Sequence, residues 1–159
     1  MAKGKSQSDE VEDGAPELPP GVKLRHTLEG HKRAVYGIAF DPEGGTLASG
    51  SEDHTVKLWD ATSGKLLRTL EGHQGSVNSV AFDPEGGMLA SGSSDRTVKL
   101  WDMTRAEEPH RIPMRWAHIA DMAFSPDGRR LALASKKNTA SGRGPRARSS
   151  TSSIFACGM

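Results

Sequence analysis

The sequence predicts an all-β protein built from repeated four-stranded antiparallel sheets, with a tail at each end that does not join them. The stretch His31–Ala61 recurs as His73–Met103 with 21 identities in 31 positions and no gap. A weaker third copy begins at Ile119, with 7 identities in 17 positions, and it keeps the 42-residue step between copies. Each copy consists of short apolar runs separated by turn-forming residues. Repetition at a period of roughly 20–50 residues indicates an array of small, similar structural units.

Within the first copy, four short strands alternate with three turns. β-branched and aromatic residues mark the strands, while Gly, Pro and Asp mark the turns. The turn Asp41–Gly45 has a proline suited to starting a turn and glycines that can adopt a positive φ. Further turns are expected at Glu52–His54 and Ala61–Lys65. The predicted strands, which form an antiparallel meander, are Val35–Phe40, Leu47–Ser51, Thr55–Asp60 and Leu66–Leu70.

Both faces of each small sheet carry apolar side chains. Val56 and Leu58 point to one face, and Trp59 points to the other. A sheet with one face in water shows a cleaner alternation of apolar and polar residues. Each sheet must therefore be covered on both sides, and the neighbouring copy is the obvious cover. Repeats that bury one another's faces build propellers and solenoids, so we expect part of a β-propeller.

Several residues of each copy resemble the WD-repeat family of β-propellers. The shared features are Gly-His at 30–31 and 72–73, the run "LASGS" in both copies, and the closing Trp-Asp at 59–60 and 101–102. The resemblance covers about Val22–Ser135 and neither tail. It implies that a hydrogen-bonded set of His, Ser, Asp and Trp, here called the tetrad, ties each blade together. The implied tetrads are His31, Ser49, Asp53 and Trp59, and then His73, Ser91, Asp95 and Trp101.

The domain boundaries follow from where the repeat begins and stops. Residues 1–21 form an acidic, proline-rich arm that is expected to be disordered. The WD-repeat region 22–135 comprises an outer strand 22–28 of a preceding blade, repeat one at about 29–70, repeat two at about 71–113 and partial repeat three at about 114–135. Residues 136–159 form a basic tail rich in Ser, Gly and Arg, expected to be disordered or translated out of frame.

The third copy departs from the pattern, and so does the end of the second. Pro109 and Pro113 in the fourth strand of copy two suit only an edge strand. Small propellers have about four blades, so this chain does not close a ring by itself. Three explanations stay open: a truncated or frame-shifted propeller, a ring assembled from several chains, and an evolved basic arm. The third-copy positions that correspond to the tetrad are Arg115, Leu133, Lys137 and Arg143.

Composition and motifs argue against several other function classes. The net charge of +1 creates no field that would attract nucleic acid or a membrane surface. No Cys/His cluster surrounds His31 or His73, so no metal site is expected. Aspartates that recur in every blade indicate structural positions rather than a catalytic pair. Neither a nucleophile elbow nor a phosphate-binding loop occurs, so we expect no enzyme activity and no cofactor.

The chain also lacks an apolar run long enough for a membrane span. A single cysteine and the absence of a secretory signal favour a cytoplasmic location. Binding of nucleic acid through the basic tail is a weaker alternative, because no aromatic residues alternate with its basic ones.

The remaining candidate function is that of a protein–protein interaction scaffold, because loops on a rigid scaffold are where binding residues gather. Two loops at one end of each blade differ between copies that are otherwise nearly identical. We interpret them as partner-binding positions; neutral surface change is the alternative. Open blade faces further favour self-association, and a regulatory fragment of a larger multidomain enzyme is a second hypothesis. The candidates are Lys32, Arg33, Tyr36, Glu52, His54, Gln74, Ser76, Asn78, Ser94 and Arg96.

Overall fold

The structure, a computed structural model, describes residues 19–105, 108–114, 118–137 and 151–158. In these residues it contains strands and turns and no helix, arranged as two four-stranded sheets and one three-stranded sheet. All strand pairs are antiparallel. The predicted all-β class with four-stranded antiparallel blades is therefore confirmed, and the three sheets form part of a propeller rather than a closed barrel.

The first sheet is a meander with the strand order β1-β2-β3-β4. The turn between β1 and β2 closes through the Gly44 N–H, which donates to the Asp41 carbonyl oxygen at 3.0 Å. Gly44 has a φ of 72°, a conformation that glycine adopts without steric cost. The strands are β1 Val35–Phe40, β2 Thr46–Ser51, β3 Val56–Asp60 and β4 Leu66–Leu70.

The second sheet repeats the first with the order β5-β6-β7-β8. Its last strand is short and lies at the edge, where Pro113 needs no partner for the N–H that it lacks. The strands are β5 Val77–Phe82, β6 Met88–Ser93, β7 Thr97–Asp102 and β8 His110–Pro113.

The third sheet contains β9 His118–Phe124, β10 Arg130–Lys137 and β11 Thr151–Gly158. β10 lies in the middle, and β11 pairs with it in the place that β3 and β7 hold in the other sheets. Cys157 lies opposite Leu131, the register position that Trp59 holds opposite Leu47.

The third sheet differs from the sequence-based expectation for the tail. β10 extends to Lys137, past the expected start of the tail at residue 136, and β11 lies within the segment expected to be disordered. β10 would otherwise present an unpaired edge, and the "TSSIFACG" segment supplies β-branched and aromatic residues that suit a strand. Residues 138–150, like the N-terminal arm up to residue 18, lie outside the described residues.

Two apolar cores lie between the sheets rather than within any one of them. The first joins sheet one to sheet two and contains Ala48, Val56, Leu58, Leu70, Val77, Val80, Leu89 and Trp101. The second joins sheet two to sheet three and contains Ala90, Val98, Leu100, Ile119, Met122, Leu131 and Leu133. The second sheet is therefore covered on both faces, as the apolar residues on both of its faces require.

The outer strand expected at residues 22–28 does not form. These residues have no strand assignment, and Val22 and Leu24 are 55% and 63% exposed. A strand needs a neighbour that accepts and donates its backbone hydrogen bonds. By its position in the repeat, this segment would pair in a sheet ahead of the first, and none of the three described sheets is that partner. His26 instead contacts the Thr62 carbonyl oxygen at 2.8 Å.

Candidate functional site

The first tetrad links three parts of the first sheet at one of its ends. His31 precedes β1, Ser49 lies on β2, Asp53 lies in the β2–β3 turn and Trp59 lies on β3. The imidazole places Nδ1 2.9 Å from Asp53 Oδ2 and Nε2 2.8 Å from Ser49 Oγ. The Trp59 indole N–H donates to Ser49 Oγ at 2.8 Å. A continuous chain of hydrogen bonds therefore crosses the sheet from β3 to the turn.

Donor and acceptor chemistry assigns the direction of each of these bonds. The indole N–H can only donate, and the carboxylate can only accept. If neutral His31 carries its proton on Nδ1, it donates to Asp53 and accepts the Ser49 hydroxyl proton at Nε2. The Ser49 oxygen still accepts from Trp59. Each group in the chain then has a partner, as buried polar groups require.

The second tetrad has the same geometry, and its histidine and serine are more deeply buried than those of the first. His73 Nδ1 lies 2.8 Å from Asp95 Oδ2, and its Nε2 lies 2.8 Å from Ser91 Oγ. The Trp101 indole N–H donates to Ser91 Oγ at 2.8 Å. Ser91 is completely inaccessible to solvent, whereas Ser49 is 5% exposed. Without Ser91, the Trp101 indole N–H and His73 Nε2 would therefore lose their shared partner at a place that water does not reach.

A threonine completes each tetrad, and the sequence reasoning missed it. Thr55 Oγ1 donates to Asp53 Oδ1 at 2.7 Å, and Thr97 Oγ1 donates to Asp95 Oδ1 at 2.6 Å. The backbone N–H of each threonine donates to the same carboxylate oxygen. The signal was present in the sequence as an Asp-x-Thr spacing that both copies keep.

The pKa shifts agree with this arrangement of protons. Burial raises the pKa of Asp53, but hydrogen bonds from Thr55 and from the Lys32 N–H outweigh it and hold that pKa well below its usual range. Burial likewise raises the pKa of Asp95, but hydrogen bonds from Thr97 and from the Gln74 N–H outweigh it and lower that pKa to about 2. Burial also lowers the pKa of His73, against the opposing effect of Asp95. An ionised carboxylate beside a neutral imidazole is thus the favoured state of the second tetrad.

The third sheet has no tetrad in the part of the chain that the structure describes. Leu133 on β10 stands at the position of the tetrad serine and is 2% exposed, packed in the second core. The backbone of Lys137 ends β10, while Arg115 and Arg143 lie outside the described residues. An apolar contact replaces a polar one at this position.

Five of the ten partner-binding candidates line two depressions at the tetrad end of the sheets. A depression of about 490 Å³ between the first and second sheets is lined in part by Lys32 and His54. A second, of about 350 Å³, is lined by Tyr36, Asn78 and Ser94 together with residues of β9. Loops and strand ends from neighbouring sheets therefore meet at this end; Tyr36 and Asn78, expected in loops, lie in β1 and β5.

Hydrogen bonds fix the floor of the smaller depression, and Tyr36 lines it with an exposed side chain. The Asn78 side-chain amide donates to the Ile119 carbonyl oxygen at 2.6 Å and to Ser94 Oγ at 3.1 Å. His118 Nδ1 lies 2.8 Å from the Ser94 carbonyl oxygen. Tyr36 is 55% exposed. This depression thus combines a rigid polar floor with an accessible aromatic ring.

The other five candidates lie on the same loops but line neither depression. The Arg33 guanidinium contacts Glu52 Oε1 at 3.3 Å in an exposed pair, which contributes little to stability. The Gln74 N–H donates to Asp95 Oδ2, and the Ser76 carbonyl oxygen accepts from the Ser94 N–H. The backbones of these two candidates thus hold the loop in place. Arg96 and His54 have φ values of 65° and 71° in equivalent turns. The remaining member, Glu52, contributes its backbone N–H to the Ala34 carbonyl oxygen.

Among the described residues, no three His, Cys, Asp or Glu side chains come together as they would around a metal ion. The same part of the chain contains no helix of the length and hydropathy needed to cross a membrane.

Comparison with known proteins gives the family. The family model described as "WD domain, G-beta repeat" matches residues 22–60 and 64–102. The chain belongs to the WD-repeat family. It is 41% identical over 72 residues to Protein Mut11 of Chlamydomonas reinhardtii, covering 40% of this chain and 20% of that protein. It is 47% identical over 47 residues to Nuclear distribution protein PAC1-1 of Uncinocarpus reesii (strain UAMH 1704), covering 30% of this chain and 10% of that protein. This WD-repeat chain thus spans a fifth or less of each relative's length.

Proposed function

We propose that this WD-repeat chain is a non-catalytic scaffold that binds a protein partner at the tetrad end of its sheets. The observation that carries the proposal is that the loops in which near-identical copies differ lie together at this end. The tetrads below them hold the backbone rigid, so side chains can vary there without changing the fold. The proposal includes a cytoplasmic location.

The chemistry of this surface suits a polypeptide ligand with both apolar and charged groups. Tyr36 offers a ring that is 55% exposed beside donors and acceptors on Asn78 and Ser94. Arg33 is accessible, and its guanidinium contacts Glu52 in an exposed pair. Tyr and Arg are enriched among the residues that dominate protein interfaces. His54 and Arg96 hold left-handed backbone conformations, which concentrate at binding and active sites.

A selection of peptides from a random library against the full chain provides a ligand for the test. We expect Tyr36→Ala and Arg33→Ala each to weaken binding of the selected peptide at least about fivefold, roughly 1 kcal/mol. Both side chains are exposed, so the melting temperature should stay unchanged. Arg129→Ala is the matched control, because Arg129 is exposed in the β9–β10 turn at the opposite end. Binding that depends on Arg129 but not on Tyr36 or Arg33 would overturn the proposal, as would loss of stability without loss of affinity.

A further inference from the structure

The contact between the first and second sheets provides a pattern for any further contact. Each sheet has two faces, here called the alanine face and the tetrad face. The alanine face of the first sheet carries Ala39 and Ala48. The tetrad face of the second sheet carries Val80 and Leu89. The alanine face of the first sheet packs on the tetrad face of the second, and Ala48 and Leu89 are both completely buried. The alanine face of the second sheet packs in the same way on the third.

The tetrad face of the first sheet is open along β1 in the described chain, although Trp59 and Ser49 on the same face are buried. Ile38 is 67% exposed, whereas Val80, its equivalent one repeat later, is 5% exposed. Phe40 is 59% exposed, whereas its equivalent Phe82 is half-buried against the first core. The sequence at these positions is apolar in both copies, so the difference comes only from the missing neighbour.

The alanine face of the third sheet is open at the other end of the stack. Ala123 and Ala132 are the equivalents of Ala39 and Ala48 two repeats earlier, yet Ala123 is exposed and Ala132 is half-buried. A shallow depression of about 190 Å³ lies over Ala123, Ala132 and Ala134. The two ends of the molecule thus present the two halves of the contact that its own sheets make internally.

The N-terminal segment and the third sheet lack complementary strands in the same way. In the described chain the fourth strand of each sheet leads into the first strand of the next: β4 leads into β5 and β8 into β9. By that rule, residues 22–28 belong to the sheet that covers β1. They resemble β4 in sequence ("VKLRHTL" beside "KLLRTL") but have no strand assignment. In the described residues, the third sheet ends at β11 and has no fourth strand.

We propose that copies of this chain associate head to tail. The alanine face of the third sheet of one copy packs on the tetrad face of the first sheet of the next. This contact brings residues 22–28 of the second copy beside β11 of the first, where they add as a fourth strand by main-chain hydrogen bonds. Two different surfaces meet in this contact, so it is heterologous and repeats until a ring closes or a filament forms. The proposal does not rest on the partner-binding positions at the tetrad end of the sheets.

The experiment is light scattering of the full chain over a wide range of concentration, with one variant that blocks each face. Ile38→Arg blocks the tetrad face, and Ala123→Arg blocks the alanine face. Both residues are exposed, so neither change buries a charge in the separate chain. Glu85→Arg, in the exposed β5–β6 turn, is the control that introduces the same side chain elsewhere.

Wild type and the Glu85→Arg control should grow in mass with concentration beyond a dimer, and each blocking variant alone should stay monomeric. An equimolar mixture of the two blocking variants should form a dimer and stop there, because each supplies the face that the other lacks. Leu24→Pro should weaken assembly severalfold, since proline removes a backbone N–H donor from the added strand.

Three results would overturn the proposal. A wild type that stays monomeric at every concentration excludes the contact. Assembly that survives Ala123→Arg but not Ile38→Arg indicates a symmetric contact between two tetrad faces. Assembly that survives both blocking variants indicates non-specific apolar aggregation. An unchanged Leu24→Pro variant would remove the strand addition and leave the face-to-face contact.

Discussion

Ser91 is the residue on which the second tetrad depends most directly. Its hydroxyl accepts from the Trp101 indole N–H and contacts His73 Nε2, both at 2.8 Å. Ser91→Ala removes both partners at a position with no solvent access, where His73 and Trp101 are 7% and 6% exposed. Each buried polar group left without a partner costs about 1–3 kcal/mol. We therefore expect Ser91→Ala to lower the free energy of unfolding by about 2–6 kcal/mol.

The assay is equilibrium unfolding in guanidinium chloride, followed by both tryptophan fluorescence and circular dichroism. Ser91→Cys keeps a weak donor and acceptor of similar size, so its loss of stability should lie between those of wild type and Ser91→Ala. Ser63→Ala is the control, because the Ser63 hydroxyl bonds Asp60 on the exposed surface. Its effect should stay within about 0.5 kcal/mol. A Ser91→Ala effect of that same small size would refute the reasoning, since the tetrad would then contribute nothing beyond packing.

Two further predictions test the packing between sheets and the charge state of the tetrad. Gly92→Ala should destabilise the chain by about 1–3 kcal/mol, because overpacking a filled core forces the neighbouring side chains to shift; the added Cβ would clash with Ile119 Cγ2. Gly87→Ala, with nothing within 4 Å of its added Cβ, is the control, and equal denaturation midpoints for the two variants would contradict the close contact. Stability should fall on acidification, because His73 and Asp95 both have lowered pKa values in the folded state, so the unfolded state binds more protons. The loss of stability due to His73 begins as the pH drops below 6.5, the ordinary pKa of histidine. The loss due to Asp95 extends from pH 3.8 to about pH 2. A melting temperature that stays constant from pH 7 to 5 would contradict the contribution of His73.

The sequence alone predicted the elements of the blades and the class of fold. β1 and β4 have the predicted bounds, β2 begins one residue earlier than predicted at Thr46, and β3 begins one residue later at Val56. These elements are predictable because they are local. The residue types within a strand of five or six residues and within the turn beside it determine both, and the repeat shows each pattern twice. The positions that form the tetrads were also recognisable, whereas their threonine partners were not. The family resemblance named only four members.

Only the tertiary structure decided which of these segments are paired and which faces are covered. Residues 22–28 have the sequence of a strand but no partner, while residues 151–158 became a strand because β10 offered them an edge. Ile38 and Val80 are equivalent in sequence, yet one is exposed and the other buried. The physical reason is that backbone pairing and burial are properties of contacts between distant segments. The sequence of a segment determines which kinds of neighbour it can pair with or pack against. Whether such a neighbour is present in the folded structure determines whether the segment pairs and is buried.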